Sequence, residues 1–245
     1  KQWVNYNDNL NSRSTIDFEK GEIVVEVIVE DNKDQAASSV NQIANTALEN
    51  QVSKLLAQKT DDNKLLLQDQ VKDDTGTIVS EKKSKSFAKQ SISKHKITKA
   101  NIQAKDGINR IKYSIKLKMI PNHLEVRAKR YQADIIKQSK RFDIDPAIAF
   151  AIMQTESSFN PKARSHIPAY GLMQLVPKSG ARDAYIHVYK KDKLLSGDYL
   201  YNSSNNIELG CAYISKLKHV YFKGVLDEKT AYYLTIAAYN TGAGN

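Results

Sequence analysis

Asp145-Pro146-Ala147-Ile148-Ala149-Phe150-Ala151-Ile152-Met153-Gln154-Thr155-Glu156 is the stretch that decides how the second half of this 245-residue chain is read. Asp145 before Pro146 reads as a helix N-cap followed by proline at the first helical position, where a missing N–H costs nothing. Apolar residues then occupy every side, a pattern normally met in buried helices. Glu156 is the next charge after Asp145, and it falls in the last turn. Burial disfavours its ionised form, and the partial negative charge of a helix C-terminus acts in the same direction. A carboxyl kept neutral there can act as a general acid. The competing reading places Glu156 at a frayed, exposed helix end or pairs it with Lys162 or Arg164.

Outward from this helix the pattern stays helical. Asn122 and Glu125 have the spacing of a capping box, and Leu124, Ala128, Tyr131, Ile135 and Phe142 mark one stripe of a helix that reaches Asp143-Ile144-Asp145. Beyond Glu156 come a loop, helical pieces around Leu172 and from Ser179 to Lys190, and a polar stretch from Lys190 to Asn205. A helix with Ile207, Cys211, Ile214 and Tyr221 on one face follows, then a largely apolar helix, Ala231 to Ala238, closed by Tyr239. Residues 121–245 therefore read as mainly α.

Before Pro121 the character changes. Glu22-Ile23-Val24-Val25-Glu26-Val27-Ile28-Val29-Glu30 reads as a strand with its more apolar face at Ile23, Val25, Val27 and Val29. A long amphipathic helix is predicted by Val40, Ile43, Ala44, Ala47, Leu48, Leu55 and Leu56, with Leu65 to Val71 extending or restarting it. A shorter helix covers Glu81 to Ser91, and strands at Lys94–Ala104 and Ile108–Ile120 join at the hairpin dipeptide Asp106-Gly107. Residues 1–120 form an α+β domain with neither a glycine-rich phosphate loop nor a catalytic constellation.

Three blocks follow one another in the second half: Glu156-Ser157-Ser158-Phe159-Asn160-Pro161-Lys162-Ala163, then Gly171-Leu172-Met173-Gln174, then Ala238-Tyr239-Asn240. In order and spacing they resemble the lytic murein transglycosylases whose catalytic domain is lysozyme-like, of the SLT or goose type. The resemblance is nearest to the membrane-bound C type, which carries an extra domain before the catalytic one. It implies an α+β N-terminal domain followed by a mainly α lysozyme-like catalytic domain. It also implies a reaction: a lyase step on the β-1,4 bond between N-acetylmuramic acid and N-acetylglucosamine, with the C6 hydroxyl closing a 1,6-anhydro ring.

By motif match, Glu156 would be the single acid and base, and Ser157 beside it would fix it or a polar group of the substrate. Gly171, Met173 and Gln174 would line the groove, and Tyr239 and Asn240 would approach from the opposite wall. The same residues allow plainer readings: serines at a helix end, Met173 in the core, Tyr239 as packing. Pro168 and Thr241 depart from the family pattern, which usually has glycine at both positions, and neither touches the acid. The family also continues beyond the point where this chain stops, so a groove ending at Asn245 is expected to lack one wall.

The acids fit a one-carboxylate mechanism. Asp143 and Asp145 precede the helix, while Asp183, Asp198, Glu208, Asp227 and Glu228 occur in polar segments and read as solvated charges. Most glycosidases use two carboxylates, but a substrate that supplies its own nucleophile needs only one group that gives a proton and later takes one. A lysozyme-type hydrolase, with a second acid or an ordered water across the sugar, is the alternative reading. A non-catalytic peptidoglycan-binding scaffold is another.

Composition bounds the rest. A hydrophobic content of 41% is enough for two cores, and no run approaches the roughly 18 apolar residues that span a bilayer. The missing initiator methionine and leader read as a processed N-terminus, and membrane attachment in the implied family would come from a lipid anchor outside this chain. Periplasm or cell envelope, on the outer-membrane side, is the implied location. Cys211 is the lone cysteine and reads as a buried, inert thiol. His95, His123, His166, His187 and His219 show no ligand spacing, so neither a metal nor another cofactor is expected. The net charge of +10 calls for acidic partners. Lysines alternating along Ile111–Met119 equally describe the wet face of a strand, and the carboxylates of peptidoglycan glycan strands or an anionic membrane satisfy the charge. Nucleic acid is not expected.

Overall fold

The computed structural model describes residues 1–31, 36–103 and 105–242. The chain divides into two compact units, Gln2–His123 and the residues from Leu124 onward together with Lys1. The expected boundary at 120/121 falls slightly early, because the Met119 N–H donates to Gly21 O (2.8 Å) and the Ile120 N–H to Gln70 O (2.9 Å), which stitches this segment to the first unit. The expected ends at Ala104 and Asn245 lie outside the described residues.

The first unit is an antiparallel sheet of five strands in the order β1-β2-β3-β5-β4. These are β1 Gln2–Tyr6, β2 Ser12–Asp17, β3 Glu22–Glu30, β4 Thr98–Gln103 and β5 Asn109–Lys118. Val25 faces Ile115 and Val27 faces Tyr113 across the β3/β5 pair. Two helices, α1 Ala37–Leu56 and α2 Ser84–Lys94, pack with the sheet around Ile16, Ile23, Val25, Val40, Leu48 and Ile115. The sequence reading missed β1 and β2 because Gln-Trp-Val-Asn-Tyr and Ser-Arg-Ser-Thr-Ile-Asp carry few aliphatic residues. Polar bonds hold β2 instead: Gln51 of α1 donates to Ser14 Oγ (2.9 Å) and accepts from Ser12 Oγ (3.2 Å). Glu26 pairs with Arg13 and Lys112 across β2, β3 and β5.

Two expectations for this unit are corrected. Ile43 is 49% exposed, and Gln51 and Val52 complete the buried stripe of α1 in its place. Leu65 to Val71 is turn and bridge structure and does not extend the helix, since Asn63 (φ 57°) and Asp69 (φ 59°) adopt left-handed conformations that interrupt helical bonding. At the expected hairpin, Gly107 takes φ 78° and Asp106 Oδ1 accepts the Ile108 N–H at 3.0 Å.

The second unit is helical: α3 His123–Phe142, α4 Pro146–Ser157, α5 Gly180–Tyr189, α6 Gly197–Tyr201, α7 Ser203–Lys216 and α8 Glu228–Thr241. Ile135, Met153, Leu172, Met173, Ile207 and Cys211 are fully buried at its centre. As the sequence predicts, Asp145 caps α4 by accepting the Ala147 N–H (2.8 Å), with Pro146 in the first turn. Asp227 caps α8 in the same way at Thr230 N (2.7 Å).

The reading of α4 as buried on every side is corrected. Ala149, Ile152 and Met153 face the core, but Ala147, Ala151, Gln154 and Thr155 face outward, and alanine tolerates that exposure. Residues 171–174 form a turn, not a helical piece. Tyr221 does not continue the Cys211 face. A π-helical turn, Leu217–Tyr221, follows α7 and adds to the helical repeat, and this leaves Tyr221 48% exposed. Among the described residues, no helix is long and apolar enough to cross a membrane.

Candidate active site

Glu156 occupies the last turn of α4, half-buried, two residues before Ser158 and three before Phe159, which take φ 53° and 59°. This left-handed turn ends the helix and reverses the chain. Among the described residues no side chain hydrogen-bonds or ion-pairs with the Glu156 carboxyl. Burial raises its pKa above the ordinary glutamate value, and the charge of Lys1 opposes that only in part. The group is therefore biased toward its protonated form, as an acid waiting to donate must be.

Ser157 is fully buried. Its hydroxyl lies 2.7 Å from Leu172 O and 3.0 Å from Met153 O, so its single proton is committed to the protein. Ser157, expected to fix the acid or a polar group of the substrate, ties the end of α4 to the turn at 171–174.

That turn is held from several sides. Gly171 takes φ 76°, and a Cβ there would stand 2.5 Å from Leu200 O and from Asn206 Nδ2, so only glycine fits. Asn206, fully buried in α7, accepts the Met173 N–H through Oδ1 (2.8 Å) and donates through Nδ2 to Tyr170 O (2.9 Å) and Leu200 O (2.7 Å). The Tyr239 hydroxyl donates to Met173 O at 2.8 Å. The N–H groups of Gly171 and Met173 donate to Ala163 O and Asn206 Oδ1, and the Met173 side chain is core. Gln174, at φ 48°, donates to Gly171 O (2.9 Å) and Ala163 O (3.1 Å), which leaves its Oε1 without a partner among the described residues.

A cleft of about 470 Å³ brings Gln174, Tyr239 and Asn240 together. Glu156 and Ser157 are not among its lining residues. The acid is coupled to the cleft through Tyr239, whose phenol pKa is pushed well above its usual value, first by burial and then by the nearby Glu156 charge. Tyr239 is therefore a neutral donor whose proton is directed at Met173 O. Asn240 is exposed on the cleft wall.

The sequence reading passed over two residues. Asn206 carried no signal beyond being an amide in a helix start rich in asparagine. Asp183, read as a solvated charge, lines the cleft with Tyr213 and Tyr221. It pairs with Lys216 at 3.3 Å. Cys211 is buried beside Ile207 and Ile214, and burial pushes its thiol pKa up to about 12.

Comparison with known proteins covers the whole chain. Residues 1–130 match the family described as "Membrane-bound lytic murein transglycosylase C, N-terminal domain", and residues 134–245 match "Transglycosylase SLT domain". A protein of Klebsiella pneumoniae subsp. pneumoniae named membrane-bound lytic murein transglycosylase C is 35% identical over 252 aligned residues, covering 100% of this chain and 68% of its own length. The protein of that name from Salmonella typhimurium is 34% identical with the same coverage. Among solved structures, the lytic transglycosylase Slt of Pseudomonas aeruginosa shares 33% identity over 46% of this chain and 17% of its own, at a TM-score of 0.39.

Proposed function

The chain belongs to the membrane-bound lytic murein transglycosylase C family, and from that membership we propose that it cleaves peptidoglycan glycan strands by a one-carboxylate mechanism centred on Glu156. The observation that carries the reading is a half-buried carboxyl at a helix end, biased toward its neutral form and free of any described hydrogen-bonding or ion-pairing partner. Glu156 protonates the oxygen leaving the β-1,4 bond as an oxocarbenium-like centre develops at the muramoyl anomeric carbon. The resulting carboxylate then takes the proton of the C6 hydroxyl while that oxygen bonds to the anomeric carbon. The proton given is recovered, no water is consumed, and the product ends in a 1,6-anhydro ring. Such acid–base work contributes about 10² to 10⁴-fold in rate. The rest must come from holding the strand, through Gln174 and Asn240 on the cleft wall and through the rigidity that Ser157, Asn206 and Tyr239 give the turn.

The unit Gln2–His123 then serves as an accessory domain that positions the enzyme or binds the wall, and its basic surface suits the carboxylates of peptidoglycan. Envelope location, with membrane attachment through an anchor outside this chain, follows from the same family reading. Asp183 is the carboxylate that would matter to a lysozyme-type hydrolase, because it lines the cleft, but its pairing with Lys216 ties it to a structural partner. Mass spectrometry of digested sacculi decides the chemistry: anhydro ends support the proposal, and reducing ends refute it.

A further inference from the structure

We propose that Asp183 forms, with the exposed Tyr221, a saccharide-binding subsite in the cleft, apart from Glu156, which selects longer glycan strands over shorter ones. This rests on the reading of the chain as an enzyme of glycan strands. Asp183 lies in the first turn of α5, on the cleft wall shared with Tyr239 and Asn240. Its two oxygens are used unequally. Lys216 Nζ (3.3 Å) and the Tyr221 hydroxyl (3.4 Å) both approach Oδ2, while Oδ1 has no partner among the described residues. A carboxylate oxygen left open in a concave site accepts hydrogen bonds from neutral donors, and sugar hydroxyl and acetamido N–H groups are such donors.

The surroundings select a neutral ligand. Lys216 already balances the charge of Asp183 and stands 5.5 Å from the Tyr221 ring centre, so an incoming cation would meet a like charge. The Tyr221 ring is half exposed and Tyr213 lines the same cleft, which supplies the apolar surface that the C–H face of a pyranose needs. Tyr213 also links this end of the cleft to the other, its ring centre lying 5.4 Å from that of Tyr239. The π-helical turn puts Tyr221 in this position, since a regular continuation of α7 would have kept it on the buried face.

The test uses the inactive Glu156→Gln chain as binding background and glycan oligomers of increasing length, followed by calorimetry. Without further change, affinity should rise with length. Asp183→Ala should flatten that rise, with a loss of about 10- to 100-fold for the longer oligomers and little for the shortest, as expected for one charge-assisted hydrogen bond. Lys216→Gln separates ligand binding from a structural ion pair: it breaks the pair but leaves Asp183 in place, so the length dependence should survive. Equal affinities at every length in the Asp183→Ala chain and its parent would overturn the subsite while leaving the anhydro-product reading intact. Equal loss in Asp183→Ala and Lys216→Gln would assign Asp183 to structure alone. Failure of the parent to bind any oligomer would overturn both readings.

Discussion

Replacing Asn206 with alanine removes an amide that holds the turn at 171–174 through three hydrogen bonds, to Met173 N, Tyr170 O and Leu200 O. Tyr170 O keeps the Leu175 N–H (3.1 Å), but Met173 N and Leu200 O lose the partner described for them. A buried polar group left unsatisfied costs about 1–3 kcal/mol, so two of them set an upper range near 6 kcal/mol. Water entering the space left by the amide would recover part of this, which brings the expected loss to roughly 3–5 kcal/mol. For a domain of this size that is a fall of about 10–20 °C in the melting transition of the second unit, readable by calorimetry. Asn206→Asp sharpens the test. It keeps the acceptor for Met173 N but turns an oxygen toward two carbonyls, so it should melt no higher than the alanine variant. Turnover should fall in both at temperatures where each is folded, because the turn positions Gln174. An unshifted transition with full activity in Asn206→Ala would refute the claim that this amide organises the site.

Glu156→Gln should abolish product formation while keeping sacculus binding, and retained turnover would remove the acid from the mechanism. Because its folded pKa is raised, the Glu156 contribution to stability is fully present below the ordinary carboxylate range and is lost as pH rises through the raised value. The glutamine variant should therefore melt no lower than the parent, with an advantage that grows with pH, whereas wild-type turnover declines over the same rise; an advantage confined to acid pH would contradict the burial argument. Tyr239→Phe removes the bond to Met173 O and should cost about 1–2 kcal/mol and roughly tenfold in turnover. Complete loss of turnover, matching Glu156→Gln, would make the phenol a reacting group instead of an anchor. Cys211→Ala should leave chemistry intact, and the thiol in the folded chain should resist alkylation; rapid labelling would show that the α7 core opens.

The elements legible in the sequence were those whose own residues carry the cause. β3 was readable from β-branched alternation, α4 from its Asp-Pro start, and the β4/β5 hairpin from Asp106-Gly107. β1 and β2 were not, because they are secured by pairing and by Gln51, a residue far along the chain. Gln174, Tyr239 and Asn240 share the cleft, while Glu156 is not among its lining residues. What the motifs did not show is how Ser157, Gly171 and Met173 are tied into the turn, through Met153 O, Leu172 O, Ala163 O and Asn206. The same blindness hid Asn206, whose importance lies in three backbone groups on other segments. Asp183 reads in the sequence as a solvated acid, and only the fold places Tyr213 and Tyr221 beside it on the cleft.

α8 fastens both halves of the catalytic apparatus. Tyr239 secures the turn at Met173 O, and the Tyr232 hydroxyl receives the Asp145 N–H (2.7 Å), where α4 begins. The acid-bearing helix is thus latched by an element that leaves the ribosome well after it. During synthesis Glu156 is therefore present before the helix that anchors both the start of α4 and the turn at 171–174.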